Sequence, residues 1–317
     1  MQGLCVASVF AGAAIMLYSI IIYYRSLLSL RTESYFQRVF SRWTYVLCMV
    51  LMLFFLAGYL ALGIVYTLRT EMQNSDLLIA MVFFFGAVFV YVVITVQRQM
   101  SKTIMGQTDE IIRTLVNAME AKDQYTRGHS VHVMNLVMVF YRHLPEDLKA
   151  QINKEHLKDA AILHDIGKIG ISDAILNKPG PLTEEEMAVI RTHPRMGKEI
   201  LAQTSFSELG NIILCHHERM DQRGYYRLPA NQIPLESKII AIADTFSALF
   251  SDRVYRPRKS YIEAIRIIEK AADSQLDKEL VDIFVAIPEK EILQASSGLF
   301  SMEKDLGDGA KPLPLAD

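Results

Sequence analysis

Side chains that can bind metal ions are concentrated in the middle of this 317-residue sequence, where all eight histidines lie between His129 and His217. Imidazole and carboxylate ligands together suit zinc, manganese and iron better than calcium or magnesium. Asp165 has two carboxylate oxygens and could bridge two ions. Seven ligand-type residues are too many for one tetrahedral ion and enough for two ions with open positions. They are His129, His164, Asp165, His193, His216, His217 and Asp244.

Two neighbouring metal ions indicate phosphoryl chemistry. Paired ions a few ångström apart activate water and hold the phosphate oxygens during in-line attack on a phosphodiester. Lys168 lies four residues after His164, so a continuing helix would place its ammonium group beside the ligand pair. A cation at that position could neutralise charge that develops on a phosphate. The alternative is that Lys168 is a solvated surface lysine.

The elements that must position these residues are predicted to be helices. Apolar residues recur at helical spacing in successive segments, and no segment alternates like a strand flanked by turns. The fold class is therefore all-α. The predicted helices begin at Thr108 and then cover residues 131–144, 155–166, 206–218, 235–250 and 261–272, with a last helix from Asp277 to Ala286.

Two capping boxes mark helix starts in this region. Thr183 with Glu186 precedes a short helix, and Ser260 with Glu263 precedes the helix over residues 261–272. The short helix is expected to end near His193-Pro194, because the residue before a proline disfavours helical backbone.

Three apolar segments precede the helical region, at residues 4–24, 43–68 and 77–96, and none of them contains a charged residue. A helix of about 20 apolar residues crosses the hydrocarbon core of a bilayer. Buried helices of a large soluble core are the alternative, but three such runs within one hundred residues favour transmembrane helices. The first run lacks the basic start and the small-residue cleavage site of a signal peptide.

Basic residues set the expected orientation in the membrane. The segment between the first two spans carries Arg25, Arg31, Arg38 and Arg42 against one acid, Glu33. The positive-inside rule therefore places the amino terminus outside and the long carboxy-terminal region in the cytoplasm. The small residues Gly3, Ala7 and Ala11 could let two first helices approach closely in a homodimer.

The chain is predicted to have four parts. Residues 1–100 form a membrane domain, residues 101–107 a helical linker, and residues 108–295 a cytoplasmic helical domain. Residues 296–317 lose periodicity and are expected to be a disordered tail. A net charge of −2 argues against a protein that binds nucleic acid polymers through bulk positive charge. Three widely separated cysteines exclude a disulfide framework, and Cys215 is interpreted as a core residue.

The order of motifs resembles the HD superfamily of metal-dependent phosphohydrolases, and its HD-GYP branch in particular. The resemblance covers residues 108–286 and rests on several separated motifs. They are His164-Asp165 with Gly167-Lys168, Lys178-Pro179-Gly180, His193-Pro194 with Gly197, His216-His217-Glu218 before Asp221, and Ser251-Asp252-Arg253 with Tyr255-Arg256.

The resemblance implies an HD-type helical bundle and hydrolysis of cyclic di-GMP, a bacterial second messenger, to linear pGpG or GMP. It implies a centre of two or three divalent ions, often iron or manganese, in which Asp165 is shared by two of them. His129, His164 and Asp244 would complete one site, and His193, His216 and His217 the other. Lys168, Arg253 and Arg256 would contact the substrate, and Asp165 and Lys168 would be the catalytic residues. The remaining histidines, His132, His143 and His156, are interpreted as structural or surface residues.

The implied setting is the bacterial inner membrane, which the chain crosses several times. The expected partners are a cyclic dinucleotide, the lipid bilayer, a second copy of the chain and diguanylate cyclase-type proteins, and no nucleic acid polymer is expected.

The sequence departs from the family pattern at several positions. The loop Asp-Gly-x-Gly-Tyr-Pro reads Asp221-Gln222-Arg223-Gly224-Tyr225-Tyr226, so we expect it to be reshaped. Ser247 and His132 stand where an aspartate and an arginine are usual. Tyr125 replaces the glutamate of members with three metal ions, which favours two ions here. None of these changes removes an expected ligand.

Three functions are therefore considered. The first is a membrane-bound cyclic di-GMP phosphodiesterase, and the second is a related hydrolase acting on another cyclic dinucleotide or nucleotide. The third is a catalytically silent module that binds a nucleotide or a partner protein. A module of the third kind tends to lose metal ligands, and all seven are present in this chain.

Overall fold

The computed structural model describes residues 1–30, 42–69, 71, 73–123, 128–251 and 257–297. Within these residues the regular structure is helical, apart from one isolated bridge between Ala272 and Leu276. The predicted all-α fold class is confirmed. The chain divides into two units, Met1–Glu110 and Ile111–Asp317.

The first unit contains three helices that are long and apolar enough to cross a membrane. The stretches that qualify are Gln2–Arg25, Val46–Leu68 and Asn74–Met100. They lie in helices α1 (Gln2–Leu30), α2 (Arg42–Leu68) and α3 (Asn74–Lys122). Their outward faces carry large exposed apolar side chains, as expected for a surface in contact with lipid.

Helix α3 runs without a break through Thr108, so the helix start predicted there is wrong. The boundary between the two units falls inside this helix, after Glu110. A threonine caps a helix only where the chain leaves helical geometry. No proline interrupts residues 74–122, and the helix simply continues.

The second unit is a bundle of helices. Its α-helices are α4 (His129–His143), α5 (Glu146–Lys149), α6 (Lys154–Leu163), α7 (Asp173–Leu176), α8 (Glu184–Ile190), α9 (His193–Leu201), α10 (Gly210–Leu214), α11 (Leu235–Phe250), α12 (Tyr261–Ala271) and α13 (Lys278–Val285). Short 3₁₀ helices cover Ile166–Gly170, Ser207–Leu209 and Ala230–Gln232. Residues 289–297 are also helical.

One apolar core holds the bundle together. Helix α4 packs against α6 and α11, and α11 packs against α12. Phe140, Phe246 and Phe284 are fully buried, and their rings meet edge to face with centroids 5.2 and 5.7 Å apart. Burying side chains of this size stabilises the fold by about 1.5–3 kcal/mol each. The core thereby fixes the helices whose ends carry the polar residues described below.

Several predicted helix boundaries agree with the structure and others do not. Helix α11 and both capping boxes were predicted correctly. The helix expected over residues 206–218 is divided into a 3₁₀ turn and the short α10. Helix α9 was missed, because Pro194 lies in its first turn, where a proline has no hydrogen bond to lose. Within the described residues the helix continues to Ser297, past residue 296, where the tail was expected to begin.

Candidate metal centre

Helix ends supply most of the predicted ligands. His129 and His193 are the first residues of α4 and α9, and His164 directly follows α6. His216 and His217 lie in the turn after α10, whereas Asp244 lies within α11. Side chains from five separate helices therefore converge on one region of the second unit.

Three of these histidines are oriented in the same way. Ring Nδ1 lies close to the backbone carbonyl oxygen three residues earlier, at 2.8 Å from His164 to Ala161, 2.8 Å from His193 to Ile190 and 2.6 Å from His216 to Ile213. A carbonyl oxygen only accepts hydrogen bonds, so Nδ1 carries the proton. Each Nε2 therefore presents a lone pair, which is the form of a neutral imidazole that binds metal ions.

The Nε2 atoms of these histidines face one another in the interior. Nε2 of His164 is buried and has no hydrogen-bond partner within the described part of the chain. Nε2 of His193 lies 3.3 Å from Nε2 of His216. With Nδ1 protonated in both rings, two lone pairs oppose each other, which costs free energy unless a cation lies between them. The donor set therefore fits a bound metal ion.

Asp165 lies between two groups of candidate ligands. Its Oδ1 lies 3.2 Å from Nε2 of His193, and its Oδ2 lies 3.4 Å from Nε2 of His164. The Oδ1 atom of Asp244 lies 3.0 Å from Nε2 of His129. Two groups of side chains, which share Asp165, each have their ligand atoms within 4.8 Å of one another. The first group contains Asp165, His193, His216 and His217, and the second contains His129, His164 and Asp165.

The structure thus brings all seven predicted residues together, and their assignment as metal ligands stays a prediction. Such a set could hold two ions on either side of one shared carboxylate.

Burial and nearby charge set the protonation of this region. Burial lowers the pKa of His217 to about 4. Burial, followed by repulsion from His217, holds the pKa of His216 well below its ordinary value. Burial alone would raise the pKa of Asp165, but Lys168 and the neighbouring histidines outweigh it and hold that pKa well below the ordinary value. At neutral pH these imidazoles are neutral and the carboxylate is ionised, as metal binding requires.

The depressed histidine pKa values predict that the metal-free chain loses stability in mild acid. In the unfolded chain His217 has a pKa near 6.5, whereas in the folded chain its pKa is about 4. Between these values the unfolded state binds more protons, so stability falls as pH falls from about 6.5 to about 4. We expect a lower melting temperature at pH 5 than at pH 7.5 for the full chain in detergent with a chelator.

The matched control for this prediction is His217→Gln, whose melting temperature should depend less on pH over the same range. Equal melting temperatures of the unchanged chain at pH 5 and pH 7.5 would contradict the assignment of a buried neutral histidine.

Lys168 lies beside Asp165, but it does not belong to a continuing α-helix as predicted. Helix α6 ends at Leu163, and Lys168 is carried by the 3₁₀ helix Ile166–Gly170 instead of a continuing α-helix. Its Nζ lies 2.8 Å from Oδ2 of Asp165 and 3.1 Å from Oδ2 of Asp123. The side chain is 16% exposed, so Lys168 is not a solvated surface lysine. Burial opposes its charge, but the two carboxylates more than compensate and raise its pKa.

Gly167 allows the 3₁₀ helix to lie directly on α9. A Cβ atom at Gly167 would meet the carbonyl oxygen of His193 at 1.9 Å and the backbone nitrogen of Gly197 at 2.5 Å. Both contacts are with backbone atoms and cannot be relieved by turning a side chain. The glycine therefore sets the spacing between the segment that carries Asp165 and the helix that carries His193.

Glu120 and Asp123 support the site and were not predicted. Glu120 is buried, and its carboxylate accepts hydrogen bonds from the backbone N–H of Gly128 at 2.7 Å and of Ser130 at 3.0 Å. This carboxylate stabilises the start of α4, where His129 lies. The sequence spacing gives no signal for this role, because a capping residue is normally found within three positions of the helix start.

In the loop at residues 221–226, Gln222 stands at the position of the first glycine of the family pattern. Gln222 has φ 60°, in the left-handed region that glycine adopts most easily. Such a conformation costs a residue with a side chain about 1–2 kcal/mol. Gly224 stays a glycine, and a Cβ atom there would meet Cα of Glu218 at 2.6 Å.

Glu218 fixes the second half of this loop. Its carboxylate accepts hydrogen bonds from the backbone N–H of Tyr226 at 2.7 Å and of Leu228 at 2.8 Å. A proline at position 226 would have no N–H to donate, so the replacement by tyrosine adds a loop contact. The ring of Tyr225 lies beside His217 with centroids 4.6 Å apart. The altered loop therefore borders the candidate metal centre.

Arg253, Arg256 and Tyr125 lie outside the described residues. Cys215 is buried, and burial raises the pKa of its thiol to about 11, as expected for a core cysteine. The other histidines contact protein side chains: His143 pairs with Glu291, His156 pairs with Glu208, and His132 bonds to serine hydroxyls.

Comparison with known proteins gives a match to one family model, described as "HD domain", over residues 113–280. Among the relatives is a protein of Vibrio cholerae named cyclic di-GMP phosphodiesterase, 35% identical over 202 residues that cover 59% of this chain and 41% of the relative. A protein of Thermotoga maritima with the same name is 37% identical over 201 residues, which cover 62% of this chain and 52% of the relative.

A third relative, also from Vibrio cholerae, is named 3'3'-cGAMP-specific phosphodiesterase 3. It is 36% identical over 171 residues, which cover 53% of this chain and 36% of the relative. The chain thus aligns with between about a third and about half of the length of these curated relatives.

Proposed function

We propose that this chain, which belongs to the HD domain family, is a metal-dependent phosphodiesterase that hydrolyses cyclic di-GMP to linear pGpG or GMP. The motifs indicated this family, and the match over more than half of the chain confirms it. The observation that carries the proposal is the pair of Nε2 atoms of His193 and His216, which oppose each other at 3.3 Å beside Asp165. Such an arrangement is unfavourable without a cation and well suited to one.

Metal ions held by these residues would activate water and draw charge from the phosphoryl oxygens. The protein's own groups orient the reaction. Asp165 has one carboxylate oxygen near each of the two groups of candidate ligands. Nζ of Lys168 lies 2.8 Å from Oδ2 of Asp165 and holds that carboxylate in place. In hydrolysis the water oxygen bonds to phosphorus, the bond from phosphorus to the 3′ oxygen breaks, and the leaving oxygen takes a proton. The positive charge of Lys168 would stabilise the negative charge that develops on the phosphate.

We propose that Asp165 and Lys168 are the catalytic residues and that Lys168, Arg253 and Arg256 contact the substrate. Iron or manganese suits the ligand set better than magnesium, because five of the seven predicted ligands are imidazoles. Tyr125, in the position of a third-metal ligand, supports two ions rather than three.

A hybrid cyclic dinucleotide is the second candidate substrate. Some relatives carry names specific for 3'3'-cGAMP, and the loop with Gln222 and Tyr226 departs from the family pattern beside the candidate centre. A changed loop next to the metal centre is a position where base preference can change without loss of hydrolysis.

The test of the function is a substrate panel on the full chain in detergent, loaded with Mn²⁺ or Fe²⁺. We expect turnover of cyclic di-GMP, with chelated protein as the control. Faster turnover of 3'3'-cGAMP would favour the second candidate. Binding of either dinucleotide without turnover, with both metal ions bound, would contradict the proposed enzyme and favour a silent binding module.

We also propose that the chain lies in the cytoplasmic membrane with its amino terminus outside and the HD unit inside. The three long apolar helices and the four arginines between the first two support this orientation. Reporter fusions after residue 71 and after residue 297 test it. A cytoplasmic reporter should be active after residue 297 and inactive after residue 71, and the reverse pattern would contradict the orientation.

A further inference from the structure

His129 differs from His164, His193 and His216 in the partner of its Nδ1 atom. His164, His193 and His216 each direct Nδ1 at a backbone carbonyl oxygen. Nδ1 of His129 instead lies 2.9 Å from the side-chain oxygen of Ser247 on α11. A hydroxyl both donates and accepts, so this contact alone does not fix which ring nitrogen of His129 carries the proton.

The hydroxyl of Ser247 begins a chain of buried hydrogen bonds. Its Oγ also lies 2.8 Å from Nδ1 of His132, one turn along α4 from His129. Nε2 of His132 lies 2.8 Å from Oγ of Ser296, and that oxygen lies 2.8 Å from the carbonyl oxygen of Ile292. Ser247, His132 and Ser296 are all buried.

The carbonyl oxygen of Ile292 fixes which atom donates and which accepts in each of these hydrogen bonds. It can only accept, so Ser296 donates its single proton to Ile292 and must accept from Nε2 of His132. Burial lowers the pKa of His132 to about 3, so its ring is neutral and its Nδ1 is an acceptor. The hydroxyl proton of Ser247 goes to that Nδ1. Among the described residues the remaining side-chain contact of the Ser247 oxygen is Nδ1 of His129, which must therefore be the donor.

We propose that Ser247, His132 and Ser296 are positioning residues that keep the proton of His129 on Nδ1 and leave its Nε2 free to bind a metal ion. The side-chain relay performs the task that a carbonyl oxygen performs for His164, His193 and His216. Without it, Asp244 would favour the form with the proton on Nε2, because its Oδ1 lies 3.0 Å from Nε2 of His129 and could accept a hydrogen bond from that atom. The metal-binding consequence rests on the proposed function, and the protonation pattern does not.

The relay also gives a physical account of two departures from the family pattern. His132 and Ser247 replace residues that are usually charged, and the structure places the two replacements in hydrogen-bond contact. The two replacements are therefore coupled, because together they form a neutral hydrogen-bonded series that connects α4 and α11 with the last described helix. The role assigns a function to His132, which the sequence predicted only as structural.

Nitrogen-15 NMR of the full chain in detergent, labelled at histidine and free of metal, tests the relay directly. The signal of His129 is assigned by comparison with His129→Gln. We expect a protonated Nδ1 and an unprotonated Nε2 in the unchanged chain. We expect Ser247→Ala to move the proton to Nε2, and Ser247→Thr, which keeps the hydroxyl, to restore the original pattern.

Ser237→Ala is the matched control, because Ser237 is a buried serine of the same helix that donates to the carbonyl of Ile212 instead. It should leave the His129 signals unchanged. If Ser247→Ala fails to fold, Ser296→Ala tests the same relay from its other end. A proton on Nε2 of His129 in the unchanged chain, or an unaltered pattern in the folded variants, would overturn the proposal.

Mn²⁺ binding provides the second readout. Loss of a group that orients a metal ligand typically weakens affinity by about 10- to 100-fold. We expect a loss of that size in Ser247→Ala and none in Ser237→Ala, and equal affinities would count against the relay. Failure of the unchanged, metal-loaded chain to hydrolyse any cyclic dinucleotide would count against the proposed function and leave the protonation pattern standing.

Discussion

Asp165→Asn is expected to abolish hydrolysis and to lower the metal content of the chain. Asp165 is the residue shared by the two groups of candidate ligands, and its oxygens lie 3.2 and 3.4 Å from histidine Nε2 atoms on either side. Asparagine keeps the shape but replaces one carboxylate oxygen by an NH₂ group, which cannot bind a metal ion. Metal ions contribute several kcal/mol to such reactions, so we expect a loss of about a thousandfold or more in kcat.

The measurement pairs kcat for cyclic di-GMP with the metal content of the purified full chain. Asp173→Asn is the matched control, since Asp173 is near in sequence and 73% of its side chain is exposed. That variant should keep both activity and metal. An Asp165→Asn chain that retained near-normal kcat and full metal content would show that the shared carboxylate is not a ligand.

Gly167→Ala is expected to destabilise the second unit and to weaken metal binding. The new Cβ atom would meet the carbonyl oxygen of His193 at 1.9 Å, so the 3₁₀ helix or α9 must move. Overpacking of this kind commonly costs about 1–3 kcal/mol and sometimes more. The shift separates Asp165 from His193, so we expect weaker Mn²⁺ binding together with a lower melting temperature.

Gly106→Ala is the control for this variant, because a Cβ atom there would meet no described heavy atom within 4 Å apart from its chain neighbours and the nearby backbone of its own helix. Alanine favours a helix over glycine by about 1 kcal/mol, so this control should be neutral or slightly stabilising. Unchanged melting temperature and Mn²⁺ affinity in Gly167→Ala would contradict the close approach between the two segments.

Residue types and their order were enough to predict the candidate ligands, because a metal centre needs several imidazoles and carboxylates and few other functions do. The apolar runs likewise predicted three helices that, in the described part of the chain, are long and apolar enough to cross a membrane, since a charge-free stretch of this length has few alternatives. Capping boxes located α8 and α12, because both partners of each box lie within four residues.

Features that depend on contacts between distant segments could not be predicted. The support of α4 by Glu120 depends on how the chain returns after α3, and the need for a glycine at position 167 depends on the approach of α9. Ser247 and His132 looked like two separate departures, although they are 115 positions apart in sequence and 2.8 Å apart in space. Local patterns carry no information about such pairs.

A titration of metal against activity tests the central claim most directly. The metal-free full chain in detergent receives increasing Mn²⁺ while cyclic di-GMP hydrolysis and bound metal are measured in the same samples. Two ions that share Asp165 predict little activity after the first equivalent and a steep rise as the second binds. A chain that binds two equivalents and remains inactive, or that is fully active with a chelator present, would contradict the account.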